Sequence, residues 1–185
     1  MPKSGSQINR GIPTKLNTSF YHKDKFNHPS QFVQRKFKDP IHFMHNLFDL
    51  FTYTPDLIRV YFGRAISPSF REMIMLTVAI TNDCNFWTNA HSRFGRIAGL
   101  RDEKIQLLGH LKKEDFDEQV WVALTWVRTY ILFEGKFPDK SVDETFFRAY
   151  PLSEQKAIFA TLKLMLFFNM LFNVFDKKGS RLLRK

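Results

Sequence analysis

Three ionisable residues between positions 72 and 91 have the types and the spacing that thiol or acid–base chemistry requires: Glu72, Cys84 and His91. A cysteine reacts as its thiolate, and the free amides and positive dipole at a helix N-terminus lower its pKa. His91 follows Cys84 by seven residues, which is two helical turns along one face. At that distance the histidine reaches the sulfur only through a water molecule or a neighbouring side chain. We therefore expect a proton relay.

Two helices have to position these groups. The apolar run Pro68–Thr81 predicts a helix, because proline is tolerated in a first turn whose amides lack partners. Asn82 and Asp83 interrupt this run and are good N-cap residues, which predicts a second helix over Cys84–Ala98. Gly99 is typical of the left-handed residue that ends a helix. The stretch should form a helical hairpin with Cys84 in the first turn of its second helix.

This stretch resembles the alkylhydroperoxidase D and carboxymuconolactone decarboxylase family, whose peroxidase branch carries the motif E-x11-C-x2-C-x3-H. Glu72, Cys84 and His91 match the motif in register, and Trp87 occupies the place of the second cysteine. The turn at residues 98–100 and the residues 102–105 continue the likeness. The resemblance implies an all-α, AhpD-like fold of six to eight helices with a central helical hairpin. It also implies a homo-oligomer, with a trimer or a hexamer expected.

The same resemblance implies a thiol peroxidase of the peroxiredoxin type, an antioxidant oxidoreductase. Cys84 would attack a hydroperoxide, and His91 and Glu72 would relay the proton through bound water. The chain has one cysteine. An external thiol, or one from another subunit, would therefore have to complete the cycle.

The substrate pocket is expected on the second helix of the hairpin and on the last helix of the chain. Trp87, next to Thr88, would form a pocket wall and set the shape of the substrate. Family members often carry polar residues near the pocket on their last helix, and Asn169 and Asn173 lie one turn apart there. No cofactor and no metal are expected.

Other interpretations of these residues remain open. In a cofactor-free lyase like the decarboxylase branch, His91 and Glu72 would be acid and base and Cys84 incidental. In a non-catalytic oligomeric binding protein, Trp87 would fill a retired site and basic arms would do the binding. Ser69-x-x-Glu72 is also a capping box, and a lone cysteine is commonly a small buried hydrophobe.

The basic residues of the chain are concentrated at its two ends. The net charge is +10, but residues 1–40 hold eight Lys and Arg against two Asp, and residues 177–185 hold five and no acid. The remainder, 41–176, is close to neutral. We predict a basic, aromatic-rich N-terminal arm over 1–40, a helical domain over 41–176 and a basic tail over 177–185. At 185 residues a single domain is expected, and the single cysteine suits the cytoplasm.

Aromatic and basic residues alternate along the N-terminal arm. Such a pattern stacks on bases and pairs with phosphates, so nucleic acid or an anionic membrane are candidate partners. It serves equally to lay an arm across a neighbouring subunit, which we favour because the body of the protein is neutral. No apolar segment follows the first charges, so no signal peptide is predicted.

Apolar periodicity and capping residues predict the other helices. Their expected bounds are Ile41–Tyr53, Pro55–Arg64, Arg101–Leu111, a long helix opened by Asp115-x-x-Glu118 and stopped at Gly135, Ser141–Ala149, and a last helix capped by Ser153 that contains Ala157–Phe175. His42, His45 and Asp49 share one face of the first helix, where a metal site is the alternative to a solvated polar face. Trp121 and Trp126 lie off the apolar line of the long helix, so a pocket or a subunit contact should bury them.

The last helix is apolar for nineteen residues, with Lys163 as its one charge. Length and composition suit a membrane anchor, but a lysine in the middle of a span costs about 2.5–3.5 kcal/mol on insertion scales. A helix that is apolar on all sides is also what a protein core or a subunit interface produces. We expect the last helix to lie in the protein core or at a subunit interface.

Overall fold

The computed structural model describes residues 33–175, and over this range it contains eight α-helices and no strand. The all-α fold that the sequence predicts is confirmed. In chain order the helices are α1 Pro40–Thr52, α2 Thr54–Tyr61, α3 Pro68–Thr81, α4 Asn85–Ile97, α5 Asp102–His110, α6 Glu118–Leu132, α7 Lys140–Ala149 and α8 Leu152–Phe175, with a 3-10 helix at Lys113–Asp115 between α5 and α6.

Helix α3 forms the centre of the molecule, because α4, α5, α6 and α8 all pack against it. Surrounded in this way, the helix is apolar on every side rather than along one stripe. Ile74, Leu76 and Val78 have no exposed surface. The site residue Glu72 therefore belongs to the helix around which the others pack.

Helix α6 supplies the two tryptophans whose burial the sequence left open. The indole of Trp126 stacks on Phe146 of α7 at a centroid distance of 4.2 Å and donates to Asp143 at 2.8 Å. Trp121 donates to the carbonyl of Leu111 at 3.1 Å. Both indoles are buried inside the subunit. The expectation that a pocket or a subunit contact buries them is therefore wrong, because α7 and the α5–α6 connection cover them.

Helix α8 is long and apolar enough over Leu152–Val174 to cross a membrane, yet 56% of an apolar 18-residue stretch within it is buried inside the protein. It packs against α1, α2 and α3. The one charged residue of its apolar stretch 157–175, Lys163, donates to Asp49 of α1 at 2.8 Å. Burial acts to lower the pKa of Lys163, but the hydrogen bond to Asp49 and nearby charges raise it above its ordinary value. Of the two expectations for this helix, the structure supports the core.

Several helix starts differ from those expected. Helix α6 begins at Glu118 with Asp117 as its N-cap, because Asp115 belongs to the preceding 3-10 helix. At α7 the side chain of Asp139, not of Ser141, accepts the capping bond. Helix α8 begins at Leu152, so Ser153 lies within its first turn.

The segment before α1 lies across the bundle. We call residues 33–38 the strap. Val33 donates to the carbonyl of Thr81 at 3.0 Å, and the guanidinium of Arg35 donates to the carbonyl of Ile131 at 3.0 Å and pairs with Glu134. Apart from residues 33–40, the N-terminal arm expected over 1–40 lies outside the described residues, as does the basic tail over 177–185.

Helices α1 and α2 present apolar side chains to the outside, and α1 has no buried residue. The most exposed are Ile41, Phe48, Phe51, Ile58 and Phe62. Of the polar residues considered for a metal on α1, Asp49 pairs with Lys163, and His42 accepts from the amide of Lys38. Within residues 33–175, no cluster of three or more His, Cys, Asp or Glu side chains is suited to hold a metal ion.

Candidate active site in the hairpin of α3 and α4

Helices α3 and α4 form the expected hairpin. Helix α3 runs over Pro68–Thr81 as predicted, and the side chain of Ser67 caps its first turn. Helix α4 packs closely on its neighbours at Gly95, where a Cβ would lie 3.2 Å from a methyl of Leu100 and 3.6 Å from one of Leu76. A side chain at this position would have to displace the Leu100 methyl slightly, so glycine allows α4 to lie close to α3.

Glu72 and His91 face each other across the hairpin. The Nδ1 atom of His91 lies 2.7 Å from Oε2 of Glu72, and the two residues are 7% and 4% exposed. The other carboxylate oxygen, Oε1, accepts from Nε and Nη2 of Arg71 at 3.2 and 3.1 Å. The carboxylate thus has three charge-assisted or polar bonds, and it does not belong to the capping box that Ser69 suggested.

The contact with Glu72 determines which nitrogen of His91 can do chemistry. A carboxylate accepts hydrogen bonds, so Nδ1 carries the proton that lies between the two side chains. In the neutral imidazole the lone pair is then on Nε2. The carboxylate contact orients the ring and stabilises the imidazolium that forms when Nε2 takes up a proton.

A cavity of about 410 Å³ opens beside this pair. Its wall combines the polar trio of Arg71, Glu72 and His91 with apolar and aromatic side chains, namely Tyr61, Pro68, Met75, Phe94, Ile97 and Ala98. Its size is that of a small-molecule site. Four of its residues come from α3 and four from α4 or the residue after it, so the hairpin forms most of the wall.

Tyr61 of α2 completes the polar side of the cavity. The guanidinium of Arg71 lies over its ring, 4.6 Å from the centroid. Burial raises the pKa of Tyr61, while the Arg71 charge opposes that rise and Glu72 adds to it. The phenol therefore keeps its proton at neutral pH and presents a hydroxyl group to the cavity.

Cys84 lies at the N-cap of α4, one position before the first helical turn in which it was expected. Its backbone amide donates to the carbonyl of Ala79 at 3.0 Å, and its carbonyl accepts from the amide of Thr88 at 2.9 Å. The residue is 1% exposed. It is not among the residues that line the cavity beside Glu72 and His91.

Trp87 and Thr88 lie on the first turns of α4, and both are partly buried. The ring of Trp87 packs 5.6 Å from that of His91 and 5.0 Å from that of Phe172, and its indole N–H donates to the carbonyl of Phe168 at 3.3 Å. Trp87 thus ties the start of α4 to α8 and packs against the histidine. It does not line the 410 Å³ cavity, and neither does Thr88.

Asn169 and Asn173 are buried on α8 with no exposed surface. Asn169 donates to the carbonyl of Met165 at 2.7 Å, and Asn173 donates to the carbonyls of Arg35 and Asn82 at 3.1 and 3.4 Å. Neither lines the cavity beside His91. Of the residues singled out in the sequence, the structure brings Glu72, His91 and Trp87 together, and it places the two asparagines at the far end of the hairpin.

The hairpin lies within a region of sequence similarity to a known family. The model of the carboxymuconolactone decarboxylase family matches residues 52–129. Over these residues the chain is similar to that family. The match runs from the end of α1 into α6 and contains Glu72, Cys84 and His91, so the resemblance predicted from the sequence is confirmed. No curated protein and no solved structure matches the chain.

Two residues of this candidate site were missed in the sequence. Arg71 precedes Glu72 directly, and two adjacent helical residues do not normally face one another. Tyr61 is on another helix, and only the packing of α2 brings it to the cavity. The one available signal was the pair Arg71-Glu72 itself, a charged dipeptide near the start of an otherwise apolar helix.

Proposed function

We propose that the protein is a cofactor-free acid–base enzyme of the carboxymuconolactone decarboxylase type, with a small organic acid as substrate. The observation that carries this proposal is the position of the Glu72–His91 pair on the wall of a 410 Å³ cavity. Cys84 is 1% exposed and is not part of that wall. The geometry therefore supports the lyase alternative better than the thiol peroxidase.

In the proposed reaction His91 carries the proton. When the bond between the substrate carboxylate and its carbon breaks, the electron pair passes into the unsaturated remainder of the substrate and CO2 leaves. Before this step Nε2 of His91 takes up a proton from solvent. The resulting imidazolium donates that proton to a carbon of the unsaturated system and returns to the neutral ring. Glu72 accepts the hydrogen bond from Nδ1, so the ring keeps its orientation through the cycle.

Arg71 and Tyr61 would bind and orient the substrate. The guanidinium of Arg71 is held in place by Glu72 and by the Tyr61 ring, so little conformational freedom is lost when it meets an anionic group. The apolar part of the wall would exclude water from the reacting carbon.

A thiol peroxidase is the second candidate, and the register of the motif favours it. Cys84 lies at the start of α4 with His91 two turns later, as in the peroxidase branch. The thiolate would attack the O–O bond of a hydroperoxide, giving an alcohol and a sulfenic acid, which an external thiol would reduce. Because the sulfur is buried, this route requires the start of α4 to open.

Two variants separate the candidates. Carboxymuconolactone decarboxylation, followed by CO2 release, should persist in Cys84→Ala and fall by about a hundredfold or more in His91→Asn. Peroxide consumption with dithiothreitol is measured on the same samples. Peroxide consumption that Cys84→Ala abolishes, with no decarboxylation in any sample, would instead support the peroxidase. Ser92→Ala, on the same helix, is the control for nonspecific damage to α4.

The assembly and cellular address are proposals as well. We propose a trimer or hexamer in the cytoplasm, and the exposed apolar side chains of α1 and α2, among them Phe48 and Phe62, support an assembly. Light scattering after size exclusion measures its mass. A monomer at micromolar concentration would contradict it.

A further inference from the structure

Three asparagines are completely buried where α3, α4 and α8 meet. Asn82 follows the last residue of α3, and Asn169 and Asn173 lie one turn apart on α8. Each has 0% of its surface exposed. The amide of Asn173 donates to the backbone carbonyl of Asn82 at 3.4 Å, which brings the turn of the hairpin directly onto this face of α8. We call these three residues the asparagine cluster.

Four amide atoms of the asparagine cluster lack a partner. They are Nδ2 and Oδ1 of Asn82 and Oδ1 of Asn169 and of Asn173, none of which bonds any group within residues 33–175. Buried polar atoms in native proteins are nearly always paired, because each unpaired one lowers the folding equilibrium constant about tenfold or more. Four in one place indicate that the cluster holds a hydrogen-bonding ligand.

The chemistry of the four atoms restricts that ligand. Three are carbonyl oxygens, which accept, and one is an amide nitrogen, which donates. The ligand must therefore donate more bonds than it accepts, or comprise more than one molecule. The cluster residues are all uncharged, so nothing in it balances an ion of either sign. At least two water molecules meet these conditions, since one water donates only two bonds and buried waters typically make about three hydrogen bonds to such groups.

We propose that the asparagine cluster is an internal water-binding site, separate from the Glu72–His91 cavity. No asparagine lines that cavity. The strap closes the cluster from outside, because the carbonyl of Arg35 accepts from Asn173 at 3.1 Å. The bound water therefore exchanges slowly with bulk solvent.

This water site lies beside the buried thiol. The start of α4 is fixed to α8 on both sides of Cys84, by the Asn82–Asn173 bond before it and by the bond from Trp87 to Phe168 after it. Cys84 is thereby held between the cluster and the Trp87 ring.

Asn169→Leu tests the proposal with a side chain of similar size and no polar atoms. Asn169 is preferable to Asn173, whose amide also holds Arg35 and Asn82. The side-chain amide of Asn169 donates only to the carbonyl of Met165 on the same helix. Thr161→Val is the matched control, since Thr161 is equally buried on α8 and its hydroxyl donates to its own helix at Ala157.

The first measurement is magnetisation transfer from water to the asparagine side-chain amides in protein labelled with 15N-asparagine. A long-lived water should give dipolar cross-peaks to the Asn82 amide in the wild type and in Thr161→Val, and not in Asn169→Leu. The second is urea unfolding. Asn169→Leu should lower the folding equilibrium constant about tenfold, since it removes partners of the water, and Thr161→Val should lower it less.

Two results would overturn the proposal. One is a wild type without any cross-peak from water to the Asn82 amide. The other is an Asn169→Leu variant as stable as the wild type or more stable, which is expected if a dry unpaired oxygen has simply been removed. A stability that depends on whether the buffer holds sodium or potassium would assign the site to a cation and would also overturn it.

Discussion

Replacing Glu72 by glutamine should reverse the proton arrangement of His91 while leaving the shape of the site intact. In the wild type Nδ1 of His91 donates to Oε2 of Glu72 at 2.7 Å. In Glu72→Gln, the amide oxygen should stay with Arg71, because a guanidinium only donates. The amide nitrogen then faces Nδ1 and donates to it. The ring proton moves to Nε2, and the nitrogen that faces the cavity is no longer a base.

The substitution should also lower the free energy of unfolding. Glu72 is 4% exposed and accepts three bonds, from Arg71 and His91. A hydrogen bond to a charged group contributes about 1.5–3 kcal/mol, and the variant leaves Arg71 without its counter-charge. We expect a loss of about 2–4 kcal/mol, which a domain with a total of about 5–15 kcal/mol survives.

Two measurements check this prediction. Nitrogen-15 NMR of the imidazole distinguishes a protonated from an unprotonated ring nitrogen, and urea unfolding gives the free energy. Asp143→Asn is the matched control, because Asp143 accepts from the neutral indole of Trp126 and its amide oxygen still accepts that bond. Its loss should stay under about 1 kcal/mol. A Glu72→Gln protein that keeps its proton on Nδ1 and loses no more stability than this control would refute the reasoning.

Three further changes test the fold. Asp49→Asn should lower the free energy of unfolding by about 1–2 kcal/mol at neutral pH, a figure discounted for the partial exposure of the pair with Lys163. Because pairing raises the pKa of Lys163, this loss should persist at pH values below the ordinary pKa of 10.5 and shrink as the pH rises beyond it. Urea unfolding at several pH values measures it. Gly99→Ala should lower the melting temperature, since Gly99 has φ +91, whereas Gly109→Ala in open space within α5 should raise it slightly; equal shifts would contradict this. Trp126→Ala should cost about 3–5 kcal/mol in denaturant unfolding, because the indole is 1% exposed, and a cost below about 1 kcal/mol would show that α7 does not depend on it.

The parts of the fold that local chemistry determines could be predicted. Helix α3 was predicted to the residue, because Pro68 and Asn82 mark its two ends. The predicted start of helix α8 lies after its observed start. Ser153 resembles a cap, yet the carbonyl of Pro151 already accepts from the amides of Glu154 and Gln155, so the helix begins at Leu152.

The candidate site was predictable only in part. The spacing of Glu72 and His91 was informative because a family shares it, and the structure then brought the two side chains within 2.7 Å. Spacing along α4 could not show that Cys84 would be buried away from the cavity, since this depends on how α8 covers the start of that helix. For the same reason Tyr61, brought in by the packing of α2, had no signal in the sequence.

The central position of α3 has a consequence for synthesis on the ribosome. Two of its main neighbours, α6 and α8, are translated well after it, and α8 is the last of the described helices to be made. Until α8 has left the exit tunnel, the apolar surface that Ile74 and Val78 will bury has no cover. The hairpin must therefore wait as an exposed nascent segment, a state that chaperones recognise and that favours aggregation. Folding of this domain should be completed only after translation of α8.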